Sequence, residues 1–482
     1  MAARLLDLNR RTAVAAAATA LIVSLVGQPI AHGVVANRSA APSTYRSALS
    51  RPHHDSVYPG KGSTSVDALQ YSLDLTWDDF DRELTGDASI LFRAAKDESR
   101  LTLDLGTALH VSSVTLDNLA VPTKHPGNKL VIETGDLAES SKHYLDVSYH
   151  GVPRAARAPT RRSDVPAAGF TTRRSDQVWA LQEPYGAFTW YPVNDQPADK
   201  AYYDITFHTR KDWRGMTGGK LVSDKVVGEQ RVTRFRQDAP AASYLVALGI
   251  GPYREHSDVG PHGLPITYWV RHSDRKFLPQ LRRTPHMLRW LEKRLGPYPF
   301  ASAGVIVEPM ASAEETQTMV TMGTSVLRQP YGRQDLLHEF AHSWYGDTVT
   351  PQDWRDLWLN ESFATYIQLR WEVAHYGGSM RHVRHFLARY DQRLRNEYGP
   401  PGDYHANDFA ELNVYYCGAR MLDRLHQKIG NRAMWRLLRR WPQRHHYATV
   451  TRAEWIRFVN HQTGHDYSHF IRHWLMAKRS PK

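Results

Sequence analysis

Cysteine is almost absent from this chain, since Cys417 is the only one among 482 residues. A single cysteine excludes an internal disulfide, so the fold must depend on a hydrophobic core. Basic helices and aromatic RNA-binding motifs are also missing, although the formal net charge is +12. We therefore predict a folded globular protein that has no nucleic-acid partner.

The first residues differ from the rest in composition. Arg4, Arg10 and Arg11 precede an uncharged apolar run, residues 12–27, which is short for a membrane-spanning helix. Small residues near Ala36 fit a cleavage site, so residues 1–36 are predicted to be a secretory signal peptide. We expect a secreted or cell-envelope protein, extracellular or periplasmic, with no stable membrane insertion after cleavage. Export without disulfides suits a bacterium better than an animal secretory route.

The chain is long enough for more than one domain. Residues 37–65 are rich in Ser, Pro, Gly and His and are predicted to be a linker. Apolar and polar residues then alternate with a period of two, as at Leu73, Leu75 and Trp77, which predicts antiparallel strands in a β-sandwich-like domain over 66–258. Residues 154–174 carry six arginines and are predicted to form a solvated loop, with a processing or docking site as the alternative.

The pattern changes after about residue 262. Thr284 and Pro285 predict a helix cap followed by proline at the first helical position. A few strands are expected near 265–323, and helices from Gly332 to the end of the chain. The predicted fold class is α+β multidomain, with a mainly helical second domain at 259–482.

The segment His338-Glu339-Phe340-Ala341-His342 carries the strongest chemical signal. On a helix, residues four apart lie on one face, so both imidazoles can reach one metal ion. Glu339 follows the first histidine directly and can reach a water at that ion.

Glu361 follows His342 after 18 intervening residues, in a segment that is itself predicted to be helical. A carboxylate there completes a set of two histidines and one glutamate, which is typical of zinc sites with an open position. The alternative for Glu361 is an exposed acid at a helix N-terminus.

The block from His338 to Tyr366 resembles the gluzincin aminopeptidases, the family of aminopeptidase N and leukotriene hydrolase. The family motif is His-Glu-x-x-His followed by a glutamate after 18 intervening residues, and this chain matches it in full. Further segments resemble the family in the same order, over about 67–475; they are Glu183-Pro184 to Tyr191-Pro192, Gly296-Pro297-Tyr298-Pro299-Phe300 and Val414-Tyr415-Tyr416-Cys417-Gly418-Ala419.

This resemblance implies a thermolysin-like catalytic domain that binds one Zn²⁺ through His338, His342 and Glu361. It also implies that Glu339 is the catalytic base and that Tyr415 stabilises the oxyanion. Tyr416 is the rival for that role, but the three-residue step to Gly418 matches the family at Tyr415.

The resemblance further implies that two glutamates bind the free α-ammonium of the substrate. Glu183 matches the first of them. The second lies in a Gly-Ala-Met-Glu-Asn motif, and the Gln-Thr that follows places Glu315 at that glutamate. Here the stretch reads Ser312-Ala313-Glu314-Glu315-Thr316, so Glu314 is an added acid that either deepens the negative patch or points to solvent.

The leading function is therefore a secreted zinc aminopeptidase that acts on peptide or protein substrates with a free N-terminus. A zinc endopeptidase with the same site is the close alternative, and a non-catalytic scaffold is a third. The chain also reads as a short form without the family's C-terminal helical domain, which predicts a more open cleft.

Overall fold

The computed structural model of the protein describes residues 45–172 and 177–482. The predicted signal peptide, residues 1–36, lies outside these ranges and stays a prediction. Within them, no helix combines the length and the apolarity needed to cross a bilayer.

Alternating burial shows why the first part of the chain forms strands. In β1 (Val66–Asp78), the side chains of Tyr71, Leu73, Leu75 and Trp77 are buried, while their neighbours are partly exposed. The strands that follow are β2 (Glu83–Ala94), β3 (Glu98–Asp104), β4 (Leu109–Leu116), β5 (Leu119–Ala120), β6 (Thr123–Lys124), β7 (Lys129–Leu137), β8 (Lys142–Gly151), β9 (Ala156–Arg157), β10 (Ala167–Thr172), β11 (Val178–Leu181), β12 (Lys200–Arg210), β13 (Arg214–Met216), β14 (Lys220–Val227), β15 (Gln230–Ala242) and β16 (Gly249–Gly251).

These strands form three sheets in the described part of the chain. Their orders are β14-β15-β12-β1-β2-β8-β4-β5, β13-β16-β11-β10-β9 and β3-β7-β6. Neighbouring strands are antiparallel, as predicted, except that β1 and β12 run parallel.

A further sheet, of order β17-β18-β19-β21-β20, leads into the helical part. Its strands are β17 (Arg254–Val259), β18 (Pro265–Val270), β19 (Ala303–Glu308), β20 (Ala313–Glu314) and β21 (Val320–Gly323); β22 (Thr350–Pro351) and β23 (Thr449–Val450) form a small separate pair. The helices are α1 (Leu278–Leu281), α2 (Thr284–Leu295), α3 (Thr324–Leu327), α4 (Gly332–Ala341), α5 (Trp358–Tyr376), α6 (Met380–Tyr398), α7 (Gly418–Ile429), α8 (Asn431–Arg444), α9 (Arg452–Thr463) and α10 (Ser468–Met476). A β-rich part followed by a mainly helical part confirms the predicted fold class.

The predicted cap of α2 is wrong in detail. Thr284 is the first helical residue, and its hydroxyl donates a hydrogen bond to the carbonyl of Leu281 (2.7 Å). The capping position belongs to Arg283, so Pro285 stands at the second helical position, where its missing N–H still costs no helix bond.

The β-rich and helical parts share a hydrophobic core, and residues 45–482 form one compact unit. Trp354, Phe409 and Val414 of the helical part belong to the same apolar cluster as the β1 side chains. Polar contacts reinforce the junction, since Lys200 Nζ donates to the carbonyl of Asp347 (2.7 Å). Packed side chains and polar contacts therefore hold the two parts together.

Residues 45–65, the described portion of the predicted linker, contact the helical part directly. The Asp55 carboxylate accepts from the backbone N–H of Trp354 (2.7 Å), and Asp353 accepts from the Ser56 hydroxyl (2.7 Å). This segment therefore connects β1 to the start of α5.

Candidate metal centre and active site

Two helices bring the predicted metal ligands together. His338 lies in the last turn of α4, His342 follows its last residue, and Glu361 lies in the first turn of α5. The Glu361 Oε2 atom is 3.1 Å from His338 Nε2 and 3.6 Å from His342 Nε2. Each of the three residues is less than a tenth exposed, and their candidate ligand atoms lie within 4.8 Å of one another.

A glycine turn fixes the ring of His342. Directly after α4 the chain turns at Gly346, whose φ of +137° is disfavoured for residues with a side chain. A Cβ at Gly346 would lie 3.2 Å from His342 Nδ1. The same turn lets the Tyr345 carbonyl accept a hydrogen bond from His342 Nδ1 (2.9 Å).

The ring of His338 is oriented by α5. Its Nδ1 atom lies 3.1 Å from Gln368 Oε1, and Gln368 Nε2 in turn donates to Glu372 (3.0 Å). These partners hold the two rings so that each Nε2 atom faces Glu361. Sequence reasoning missed Gln368, although its position two helical turns after Glu361 was a usable signal.

The donor set fits a zinc ion. Zinc with bonds of about 2.0–2.1 Å in tetrahedral geometry keeps its ligand atoms about 3.3 Å apart. The two N–O separations of 3.1 and 3.6 Å at Glu361 bracket that value. Two neutral imidazoles and one carboxylate also leave a fourth position for water or substrate.

The charges at these residues are consistent with a cation site. The imidazoles of His342 and His338 outweigh burial and hold the pKa of Glu361 below its usual range. Burial lowers the pKa of His338, which keeps this ring neutral and able to bind a metal. At His342, burial is outweighed by Glu315 and Glu361, which raise the pKa.

Glu339 faces the same space as the predicted ligands. Its carboxylate lies in a group with Glu315 and His342 whose candidate ligand atoms are within 4.8 Å of one another. Burial raises the pKa of Glu339 well above its usual range; the nearby carboxylates Glu315 and Glu361 add to the rise, and His342 opposes it. The structure therefore places Glu339 beside the predicted metal ligands, as a carboxyl group whose pKa is raised.

Of the two candidate tyrosines, Tyr415 is the one at the site. Its ring stacks on His338 with centroids 5.9 Å apart, whereas the buried Tyr416 packs against Phe386. The Ser362 hydroxyl donates to the carbonyl of Val414 (2.5 Å), and a Cβ at Gly418 would lie only 1.8 Å from that hydroxyl. The glycine thus allows the close approach of α5 that positions Tyr415.

Glu183 and Glu315 lie close to each other and to the predicted metal ligand Glu361. Oxygens of these two residues and of Glu361 lie within 4.8 Å of one another. One oxygen of each, Oε1, is buried and has no hydrogen-bond partner in the described part of the chain. Burial raises the pKa of Glu183 well above its usual range, and Glu315 raises it further. A partly buried and a buried carboxylate, each with a buried oxygen that has no partner in the described ranges, are well suited to bind a cationic group.

Glu314 does not point to solvent, and its charge is among the causes that raise the pKa of Glu183, after burial, Glu315 and Glu361. It is 2 % exposed, and its Oε1 accepts hydrogen bonds from the backbone N–H groups of Gln182 (2.7 Å) and Glu183 (2.6 Å). The added acid therefore anchors the backbone that carries Glu183 to the strand that precedes Glu315.

We expect Glu314→Ala to lower the free energy of unfolding by about 1–3 kcal/mol, because two buried N–H groups lose their acceptor. Glu314→Gln keeps an acceptor oxygen and serves as the matched variant, with a much smaller loss. Urea denaturation of both variants and the wild type measures the difference. Equal losses in the two variants would contradict the proposed contact.

The prediction of a solvated arginine loop is wrong for Arg162. Its side chain is 18 % exposed, and its guanidinium contacts the Tyr415 hydroxyl (3.2 Å) and the Ser312 hydroxyl (3.1 Å). These contacts join residues about 150 and 250 positions apart, so no local pattern in the sequence indicates them.

Curated proteins with similar sequences are peptidases and a related hydrolase. Aminopeptidase N of Streptomyces lividans is 25 % identical over 458 residues, which cover 85 % of this chain and 50 % of that protein. Leukotriene A-4 hydrolase of Xenopus laevis is 25 % identical over 292 residues, 56 % of this chain and 47 % of that one. The chain spans about half the length of the curated relatives it matches.

A solved structure shares the fold over most of the chain. The M1 zinc metallopeptidase of Deinococcus radiodurans superposes with a TM-score of 0.77 at 24 % identity, covering 89 % of this chain and 97 % of that one. A point mutant of that protein has been solved with a Tyr-Ser-Ala substrate.

Family models match both parts of the chain in the expected order. The Peptidase M1 N-terminal domain matches residues 67–245, which contain Glu183, and the Peptidase family M1 domain matches residues 286–474, which contain the other predicted site residues. The chain therefore belongs to peptidase family M1, which confirms the resemblance to the gluzincin aminopeptidases that the sequence motifs indicated.

Proposed function

We propose that this protein is a zinc-dependent aminopeptidase that removes N-terminal residues from peptide or protein substrates. The observation that carries the proposal is the pair of carboxylates formed by the partly buried Glu183 and the buried Glu315, whose oxygens lie within 4.8 Å of those of the proposed metal ligand Glu361. A substrate ammonium at this pair lies close to the metal, so the bond that reaches the metal is the first peptide bond.

The unused oxygens of Glu183 and Glu315 account for the preference for a free N-terminus. Each Oε1 atom is buried and has no partner among residues 45–172 and 177–482, so a charged ammonium would supply the missing donors. A hydrogen bond between charged groups in a partly desolvated site is stronger than a neutral one. An acylated N-terminus has no charge and fewer donors, and it would leave both carboxylates unpaired.

The remaining residues supply the chemistry at the scissile bond. A zinc ion at His338, His342 and Glu361 would polarise the carbonyl and lower the pKa of an attacking water. Glu339 takes a proton from that water and later delivers it to the leaving amine. Tyr415 donates its O–H to the oxygen that becomes negatively charged.

Similar proteins support the assignment. The relatives from Streptomyces lividans and Arabidopsis thaliana are named aminopeptidases. The related Deinococcus radiodurans protein carries a tripeptide substrate in one of its structures.

The proposed location is outside the cytoplasmic membrane, in the medium or the cell envelope. Its support is the N-terminal sequence alone, with Arg4, Arg10 and Arg11 before the apolar run at 12–27. N-terminal sequencing of the mature protein should begin near residue 37, and an intact Met1 in the exported protein would contradict cleavage.

Blocking the substrate's N-terminus separates the candidate functions. We expect N-acetylation of aminoacyl-anilides to reduce kcat/KM by about 10²–10³-fold, because a buried charge pair loses one partner. An internally quenched peptide blocked at both ends is the companion substrate. Its efficient cleavage would favour the endopeptidase, and no cleavage of any substrate by the zinc-loaded protein would favour the scaffold.

A further inference from the structure

Arg162 lies where three segments of the active site meet. Arg162 lies in the arginine-rich segment between β9 and β10. Its guanidinium contacts Ser312, three residues ahead of Glu315 in the chain, and Tyr415, in the segment that leads into α7. Nη1 donates to the Tyr415 hydroxyl (3.2 Å) and to the carbonyl of Ala410 (3.2 Å), and Nη2 donates to Ser312 Oγ (3.1 Å).

The orientation of the guanidinium is set by Asp164. Nε and Nη2 of Arg162 donate to the two carboxylate oxygens of Asp164, at 3.1 and 2.8 Å. This paired geometry restricts both the direction and the plane of the group.

The donors of Arg162 are fully used by the protein. A guanidinium has five N–H groups, and the structure provides five contacts, with Asp164 (twice), Ala410, Tyr415 and Ser312. No donor remains to bind a substrate carboxylate or the oxyanion. Arg162 must therefore influence the reaction through the residues that it holds.

The direction of the hydrogen bond between Arg162 and Tyr415 indicates how Arg162 acts on the reaction. Because the phenol oxygen accepts from Arg162, its own O–H is available as a donor. In the described ranges, this oxygen has no other hydrogen-bond partner, and the ring beneath it stacks on His338. The O–H can therefore donate to a group bound beside His338.

We propose that Arg162 is a positioning residue, which aims the Tyr415 hydroxyl at the developing oxyanion and ties it to the ammonium-binding segment through Ser312. This inference rests on the proposed function, since it refines how the same site acts. If Arg162 already holds the Tyr415 hydroxyl in position, no reorganisation is needed when charge develops on the substrate oxygen. Loss of Arg162 should therefore lower kcat more than it changes KM.

The test compares Arg162→Met with Arg161→Met in the zinc-loaded, full-length protein. Arg161 is the matched control, because its 54 % exposed side chain pairs with Asp408 (2.6 Å) and does not reach Tyr415. With unblocked aminoacyl-anilides, Arg162→Met is expected to lower kcat by about 10–100-fold and to change KM by less than about three-fold. Arg161→Met should leave both parameters close to those of the wild type. Equal kcat values for the two variants would overturn the inference while leaving the proposed function intact.

A double-mutant cycle distinguishes positioning from a general loss of structure. In a Tyr415→Phe background, Arg162→Met should lower kcat by less than about two-fold, because the hydroxyl on which it acts is already gone. A full additive loss in that background would overturn the inference.

Arg162→Lys keeps the positive charge but cannot form the paired contact with both Asp164 oxygens, so its kcat should be intermediate. This variant replaces Arg162→Met in the comparison if Arg162→Met does not fold. Thermal unfolding and zinc content of every variant show whether the fold and metal are retained. A wild type that hydrolyses none of the substrates would overturn the proposed function, and this inference with it.

Discussion

Replacing Glu339 with glutamine is expected to reduce kcat by about 10²–10⁴-fold, the usual contribution of a positioned acid–base group. Glutamine has nearly the same shape as glutamate but cannot take a proton from water. Glu339 lies close to Glu315 and His342, and it is not in the His338, His342 and Glu361 group, so zinc should remain bound. The measurement is steady-state kinetics with unblocked aminoacyl-anilides, together with zinc content by atomic absorption.

Glu133→Gln is a suitable control for the loss of one negative charge. Glu133 is an exposed residue of β7 that pairs with Arg100, so the substitution should leave kcat unchanged. If Glu339→Gln retained more than about a tenth of the wild-type kcat with zinc bound, Glu339 would not be the general base.

Local spacing made the grouping of the candidate metal ligands predictable from the sequence. His338 and His342 are one helical turn apart, and a helix places such residues on one face whatever surrounds it. The structure brings Glu361 close to both histidines, and the segment predicted to be helical is α5, which runs from Trp358 to Tyr376. The roles of these residues remain part of the proposed function.

Contacts between distant segments could not be predicted in this way. Glu314 bonds to the backbone at 182–183, and Arg162 bonds to Tyr415, because the β-rich part folds against the helical part. In a sequence, a partly buried arginine in a Pro-, Ala- and Ser-rich segment cannot be distinguished from an exposed one. Its acceptors become identifiable only when the packing is known.

In the fold, too, local patterns were predictable from the sequence and long-range pairing was not. Period-two alternation predicted the strands of the N-terminal part, but it did not predict that β1 and β12 would lie side by side in parallel. Pairing of strands so far apart depends on how the whole sheet closes over its core. The helix pattern likewise located α2 but not its first residue, since Thr284 bonds backwards to Leu281.

Removal of zinc is expected to abolish hydrolysis and to lower the stability of the fold. At the metal centre, Glu361 is 3 % exposed and lies within 4.8 Å of Glu183 and Glu315 oxygens, so without a cation these carboxylates repel one another. A ligand that binds only the folded state stabilises it by about 4 kcal/mol when its free concentration is about 1,000 times Kd. We therefore expect a chelator to lower the thermal midpoint, and added Zn²⁺ to restore both the midpoint and the activity.

His342→Ala tests whether this stabilisation comes from the proposed centre. The variant lacks one ligand, so a chelator should no longer shift its thermal midpoint, and its activity should be at background with or without zinc. His375→Ala is the matched control, because His375 lies near the end of α5 beside His286, away from the three ligands, and its chelator-induced shift should equal that of the wild type. A chelator shift that persisted in His342→Ala would mean that the stabilising ion binds elsewhere. A wild type that kept its activity and midpoint in chelator would mean that the two histidines and Glu361 hold no ion needed for the reaction.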